Sequence, residues 1–272
     1  MPREAEDRQS VGPDAAADAG RLGSPFEALG VLAVQDVMLT ARLRHLEMFT
    51  PSGLLTILWH EPTGSPAGPP VAVVAVGGAM GGLLGPGEGL YHQLGERLAD
   101  RGVPMIRVSY RRPNDLDACC VDLAAAVQFA VASGAERVVA FGHSFGGAVA
   151  VRVAVAFPEF VTGVATFATQ SAGCEVAGGL RGRPLLLFHG DRDELLPVQA
   201  SEMVRAIAGR GELVILEADG HLLARSGATI WRRLATWLPD TLGAEFDLGG
   251  YLVAPGASSG AASGGGAPAP DS

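Results

Sequence analysis

Apolar residues in this chain fall into short runs separated by glycine- and proline-rich breaks, and two periodicities alternate along it. Residues 43–49 and 54–60 are strand-like runs on either side of the turn sequence Thr50-Pro51-Ser52-Gly53, and together they predict an antiparallel hairpin. Residues 71–76 are apolar throughout, the pattern of a strand buried on both faces. Beyond them the spacing predicts a regular alternation. Leu90, Leu94 and Leu98 recur at helical spacing up to a stop at Gly102, and residues 104–109 form a strand. Leu116, Cys120, Leu123 and Val127 make the apolar face of a helix entered through Pro113-Asn114-Asp115. Residues 137–141 predict a strand, and after a glycine-bounded turn comes a helix that is apolar on almost every side and therefore deeply buried. Strands at 160–167, 184–188 and 213–216, a helix at 198–208, and a last helix with Ile230, Leu234, Trp237 and Leu238 on one face complete the pattern.

Strands alternating with helices predict an α/β domain: a mostly parallel central sheet flanked by helices, with the antiparallel hairpin at its N-terminal side. Ligands of such sheets sit beyond the carboxyl ends of the strands. The turn after residue 141, the glycine run after residue 76, and the loops after residues 188 and 216 all lie at such ends, so four separate stretches converge on one rim. Residues 1–25 and 255–272 have no periodicity and read as a disordered arm and a disordered Gly/Ser/Ala/Pro tail around a domain of residues 26–254.

Composition narrows the function. A chain of 272 residues, 48% hydrophobic, can bury one large core. The formal charge of −9 excludes nucleic acid as the expected partner, because phosphate neutralisation needs a basic surface. All 20 basic residues are arginines, which removes lysine as a Schiff-base or general-base candidate. Cys119, Cys120 and Cys174 make no disulfide framework and have no zinc spacing, so neither a metal nor a cofactor is expected. The N-terminus lacks the charged and apolar regions of a secretory signal, and no apolar run is long enough to span a bilayer. The expectation is a cytoplasmic protein with no membrane insertion.

The strand at 137–141 runs into Gly142-His143-Ser144-Phe145-Gly146, a full G-x-S-x-G. Glycines on both sides of a serine suit a tight strand-to-helix turn in which larger side chains would meet neighbouring backbone. Two further segments have matching contexts. His189-Gly190-Asp191-Arg192-Asp193-Glu194-Leu195-Leu196-Pro197 follows a late strand, and Glu217-Ala218-Asp219-Gly220-His221 follows the last one. On these three segments, over about residues 43–238, the sequence resembles the α/β-hydrolase family of serine hydrolases. The second segment is similar to the family's H-G-x-x-D-x-x-V-P, with Leu196 in place of Val.

The resemblance implies an α/β-hydrolase fold and a Ser-His-Asp triad in the family's chain order. Ser144 is then the nucleophile, Asp193 the carboxylate and His221 the base. Asp191 is the rival carboxylate, whose alternative role is to cap the turn. An oxyanion hole would use the backbone N–H of Phe145 and, from the loop after residue 76, that of Ala79 with Met80 second. Here the family's usual His-Gly is replaced by Gly77-Gly78. Those glycines form neither a phosphate loop nor a dinucleotide fingerprint. Of the other histidines, His189 reads as a scaffold residue, His143 as partly buried beside the site, and His45, His60 and His92 as surface or packing residues.

Only a short Gly/Ala/Ser link joins residues 167 and 184, where many relatives insert a helical lid. The chain thus resembles the compact, lidless, dienelactone-hydrolase-like branch, with a pocket that is open or covered by a second subunit of a homodimer. The implied reaction is carboxylesterase- or thioesterase-like cleavage of a small-molecule substrate through an acyl-enzyme. Two other readings stay open: a ligand-binding receptor on a hydrolase scaffold, and cofactor-free perhydrolase or acyltransferase chemistry using the same triad.

Overall fold

A computed structural model describes residues 25–251 of the protein. The expected arm, apart from residue 25, and the expected tail at 255–272 lie outside the described residues. The expected strands and helices form, joined by two elements the periodicity does not announce. In chain order they are α1 (Pro25–Leu29), β1 (Ala33–Met38), β2 (Leu43–Thr50), β3 (Gly53–His60), β4 (Val71–Val76), α2 (Pro86–Asp100), β5 (Met105–Ser109) and α3 (Leu116–Ala132). Then follow β6 (Arg137–His143), α4 (Phe145–Ala156), β7 (Val161–Phe167), β8 (Leu185–Gly190), α5 (Gln199–Ala208), β9 (Glu212–Leu216) and α6 (Gly227–Leu242).

The nine strands make one sheet in the order β1-β2-β3-β5-β4-β6-β7-β8-β9. From β1 to β5 neighbours are antiparallel, and the hairpin closes with Thr50 opposite Gly53. From β5 through β9 they are parallel. This is the architecture the resemblance implied. The strand order reverses between β4 and β6, and that reversal opens a crevice at their carboxyl ends.

Why β4 is apolar at every position follows from its central place. Ala72, Val74 and Val76 pack into a core shared with α3 and α4, whereas Val71, Val73 and Ala75 pack into a second core with α2 and α6. Helix α4 is buried along most of its length. Asp115 caps α3 by accepting the Ala118 N–H at 3.1 Å. The buried face of α3 differs from the expected one: Cys119, Leu123 and Val127 are buried, while Leu116 and Cys120 are only half-buried. The reason is polar. Asp122 is buried on that face because its carboxylate accepts the Arg111 backbone N–H at 2.8 Å and the Arg111 Nε–H at 2.5 Å. Among the described residues no helix is long and apolar enough to cross a membrane.

The turn after β6 is tight enough to test. A Cβ added to Gly142 would lie 2.0 Å from the Gly146 carbonyl oxygen, and one added to Gly146 would lie 2.2 Å from that of Gly77. Those partners are backbone and cannot swing aside. Gly146→Ala is expected to destabilise the fold by about 3 kcal/mol or more, read by urea denaturation. A loss under about 1 kcal/mol would contradict this packing.

Candidate active site

Ser144 stands between β6 and α4 with φ 55° and ψ −120°, a left-handed conformation rare for any residue but glycine. Its backbone is held on both sides: its N–H donates to the Phe167 carbonyl at 2.8 Å, and its carbonyl accepts the Gly147 N–H at 3.0 Å. Such strain persists only where surrounding structure over-determines it. As the first residue of α4, Phe145 has one of the N–H groups that a helix leaves without an intrahelical acceptor.

The loops after β8 and β9 close against each other beside this turn. Gly190 makes the approach possible, since a Cβ there would lie 2.2 Å from the Asp219 carbonyl oxygen. The Asp191 N–H donates to Leu216 at 3.1 Å and the Arg192 N–H to Asp219 at 2.9 Å. His221 Nδ1 lies 2.7 Å from Asp193 Oδ2. The other carboxylate oxygen, Oδ1, accepts the N–H groups of Leu195 and Leu196, each at 2.9 Å. Burial works to raise the Asp193 carboxyl; the bonds from Leu196, His221 and Leu195 outweigh it and hold the group below its ordinary value. Asp191 is exposed, and among the described residues its carboxylate has no partner, so it does not cap the turn. In the loop after β9 the buried Asp219 caps its own turn: its carboxylate accepts from Gly220 at 3.0 Å and from Arg225 at 3.1 Å.

Two more histidines brace the loops. His189 is fully buried, with Nε2 3.0 Å from the Leu196 carbonyl and 3.3 Å from Asp193 Oδ2, and Nδ1 2.7 Å from the Ser201 hydroxyl. A carbonyl only accepts, so Nε2 carries a proton and donates to Leu196. His143 Nε2 donates to the His221 carbonyl at 3.0 Å. Burial lowers the His143 pKa to about 4, against the support of that hydrogen bond, so its ring is neutral at physiological pH.

The glycine loop after β4 completes the rim. A Cβ on Gly77 would lie 2.5 Å from the Gly81 carbonyl oxygen, and Gly78 would meet Ser144 Cβ at 3.6 Å. The loop turns back on itself through the Gly81 N–H to the Gly78 carbonyl at 2.9 Å. Among the described residues the N–H groups of Ala79 and Met80 have no hydrogen-bond partner. Side chains hold the loop in place. Tyr91 donates to the Val76 carbonyl at 3.2 Å, Tyr110 to that of Gly77 at 3.1 Å, and Arg107 Nη1 to that of Leu83 at 3.0 Å. Sequence reasoning missed these three and Asp219. Each acts across a distance in the chain or through backbone, and no local motif marks such a contact.

Ser144, His143, His221 and the glycine loop line one open cavity of about 510 Å³. Among the described residues no hydrogen bond joins the Ser144 hydroxyl directly to the His221 ring, whose centroid lies 5.1 Å from that of His143. Away from the rim, His60, His92 and Glu96 bring ligand-type atoms within 4.8 Å of one another. Arg107 Nη2 lies 3.3 Å from His92 Nδ1, and a guanidinium there opposes a cation.

No protein-family profile matches the sequence, and no protein of curated function matches it. Solved structures do. Est1E from Butyrivibrio proteoclasticus matches with a TM-score of 0.60 at 16% identity, over 73% of this chain and 99% of its own. XC6422 from Xanthomonas campestris, described as an α/β serine hydrolase without lid, matches with a TM-score of 0.60 at 18% identity, over 77% and 100%. Dienelactone hydrolase from Anabaena variabilis matches with a TM-score of 0.59 at 18% identity, over 76% and 97%. At these identities the likeness is one of fold: the chain has the α/β-hydrolase fold. Its link between β7 and β8 holds only one short 3-10 turn, Ala177–Leu180, and no lid.

Proposed function

We propose that the protein is a serine hydrolase that cleaves a small ester or thioester through an acyl-enzyme. One observation carries the reading: a serine strained at φ 55° shares a cavity with a histidine whose far ring nitrogen is bonded to a buried carboxylate at 2.7 Å. The fold neighbours named α/β serine hydrolase and dienelactone hydrolase support it. Asp193 accepts Nδ1–H of His221, which leaves Nε2 bare and basic. Nε2 takes the Ser144 proton as Oγ bonds to the substrate carbonyl carbon, and the carbonyl electron pair moves onto oxygen. The N–H groups of Phe145 and Ala79, with Met80 second, receive that oxyanion. The pair then returns, the bond to the leaving group breaks, and the imidazolium gives that group its proton. Water repeats the sequence and frees the acid. That no direct hydrogen bond joins Ser144 and His221 among the described residues is compatible with this reading, because catalytic hydrogen bonds are often long and tighten around substrate.

The test is pre-steady-state kinetics with p-nitrophenyl acetate. A burst of nitrophenol equal to the enzyme concentration, followed by slower turnover, is expected. Binding without a burst or turnover would favour the receptor reading. A burst whose acyl group passes to peroxide or an alcohol faster than to water would favour the perhydrolase or acyltransferase reading.

The tyrosine brace gives a second expectation. Tyr110→Phe removes the donor to the Gly77 carbonyl and loosens the loop that carries Ala79. The fall in kcat is expected to be about tenfold with KM changed less than about twofold, since a misplaced donor is felt mainly in the transition state. An unchanged kcat would mean that the loop is set without this bond.

A further inference from the structure

The rim of the cavity carries a feature that the triad does not need. Met80 is 88% exposed, Leu195 71%, Leu222 64% and Leu84 62%. These are four of the five most exposed large apolar side chains among the described residues, the other being Leu32. They come from three separate loops, those after β4, β8 and β9, and all four line the cavity that holds Ser144 and His221. Scattered apolar residues on a surface need no explanation, but a cluster at a concave site marks a place where something apolar is received. The lining also contains no Asp, Glu, Arg or Lys side chain among the described residues. Its polar side chains among the described residues are Ser144, His143 and His221, and His143 is neutral because burial lowers its pKa to about 4. The Asp193 side chain, which pairs with His221, is wholly inaccessible.

Sheet order sets where these loops begin. Ser144 leaves the end of β6; β4 lies on one side of β6, and β8 and β9 lie on the other. The loops nevertheless meet at the rim, where the Gly87 N–H donates to the Leu222 carbonyl at 2.8 Å, so Leu84 and Leu222 belong to loops bonded to each other in one collar beside the serine. We infer that this collar selects monomeric esters or thioesters that are uncharged and apolar. The inference rests on the hydrolase reading of the same site. A carboxylate, phosphate or ammonium near the bond would lose hydration on entering and find no opposite charge. An alkyl chain or an aryl ring would gain contact against the collar, by up to about fourfold in rate per fully buried methylene. With no lid to close over it, the collar is what holds such a substrate against the serine.

The experiment measures kcat/KM for p-nitrophenyl esters from acetate to octanoate, each below its solubility limit. It adds the hexanoyl ester against its ω-carboxy and ω-amino analogues. The octanoate:acetate ratio is expected to exceed about 10, and the neutral hexanoyl ester to exceed both charged analogues by about 50-fold or more. In Leu84→Ser/Leu222→Ser the octanoate:acetate ratio should fall at least about fivefold, with folding of the variant checked by labelling of Ser144 with a fluorophosphonate. A flat chain-length profile in the wild type, a preference for a charged analogue, or an unchanged ratio in the double variant would overturn the inference. So would activity that appears only above the solubility limit or on phosphatidylcholine vesicles, which would assign the collar to a lipid surface. If the wild type neither labels nor turns over any ester, the hydrolase reading itself has failed. If it labels and cleaves acetate but the ratio is flat, the collar inference alone has failed.

Discussion

Replacing Ser144 by alanine leaves a folded protein whose ester turnover falls by about 10⁴- to 10⁶-fold, the range seen when a triad nucleophile is removed. The change deletes one oxygen. It keeps the Cβ, so packing around the turn is undisturbed, and alanine inherits the strained φ of 55°. Stability should therefore change by less than about 1 kcal/mol, because among the described residues the hydroxyl makes no hydrogen bond. Steady-state rates beside a thermal melt separate the two effects. A variant that keeps more than about 1% of the wild-type rate would mean that the attacking oxygen belongs to another group, for instance to water activated by His221.

The second large effect is expected at Asp193. Asp193→Asn should lower kcat by about 10⁴-fold, and the local hydrogen bonds explain why so small a change matters. The position of Oδ1 faces two donors, the N–H groups of Leu195 and Leu196 at 2.9 Å each. An asparagine must keep its carbonyl oxygen there. Its NH₂ is then forced into the place of Oδ2, against His221 Nδ1 at 2.7 Å and within 3.3 Å of His189 Nε2. An amide N–H donates to Nδ1, so the His221 proton moves to Nε2, and the ring can no longer take a proton from Ser144. Asp191→Asn should change kcat by less than about threefold, since that carboxylate is exposed and touches none of this network. If Asp191→Asn abolished the rate and Asp193→Asn did not, the carboxylate would have to be reassigned.

Much of this was legible in the chain because the informative contacts are local or strongly patterned. The unbroken run at 71–76 announces a central strand because β4 serves two cores at once. Gly142 and Gly146 announce the turn around Ser144 because backbone atoms lie about 2 Å from where their Cβ would stand. What was hidden has equally physical causes. The edge strand β1 is exposed at all six positions, so burial imposes no alternation on its residues. The buried face of α3 was misread because Asp122, a polar residue, occupies it with Arg111 as partner. Tyr110 reaches Gly77 from 33 residues away, and Arg107 reaches Leu83 from 24, so these braces of the glycine loop have no signature in any short window. His189 was rightly read as scaffold, but its place beneath the Asp193 carboxylate is visible only once β8 and its loop are folded.

The central claim is that the Ser144 hydroxyl is activated by the His221–Asp193 pair, and it is tested most directly by covalent labelling. The protein is treated with a fluorophosphonate, its intact mass is measured over time, and the modified peptide is mapped. The account predicts one adduct per chain, on Ser144, formed at a rate that falls at least about 10³-fold in His221→Ala. An adduct on any other residue, or labelling of Ser144 at the same rate without His221, would contradict it.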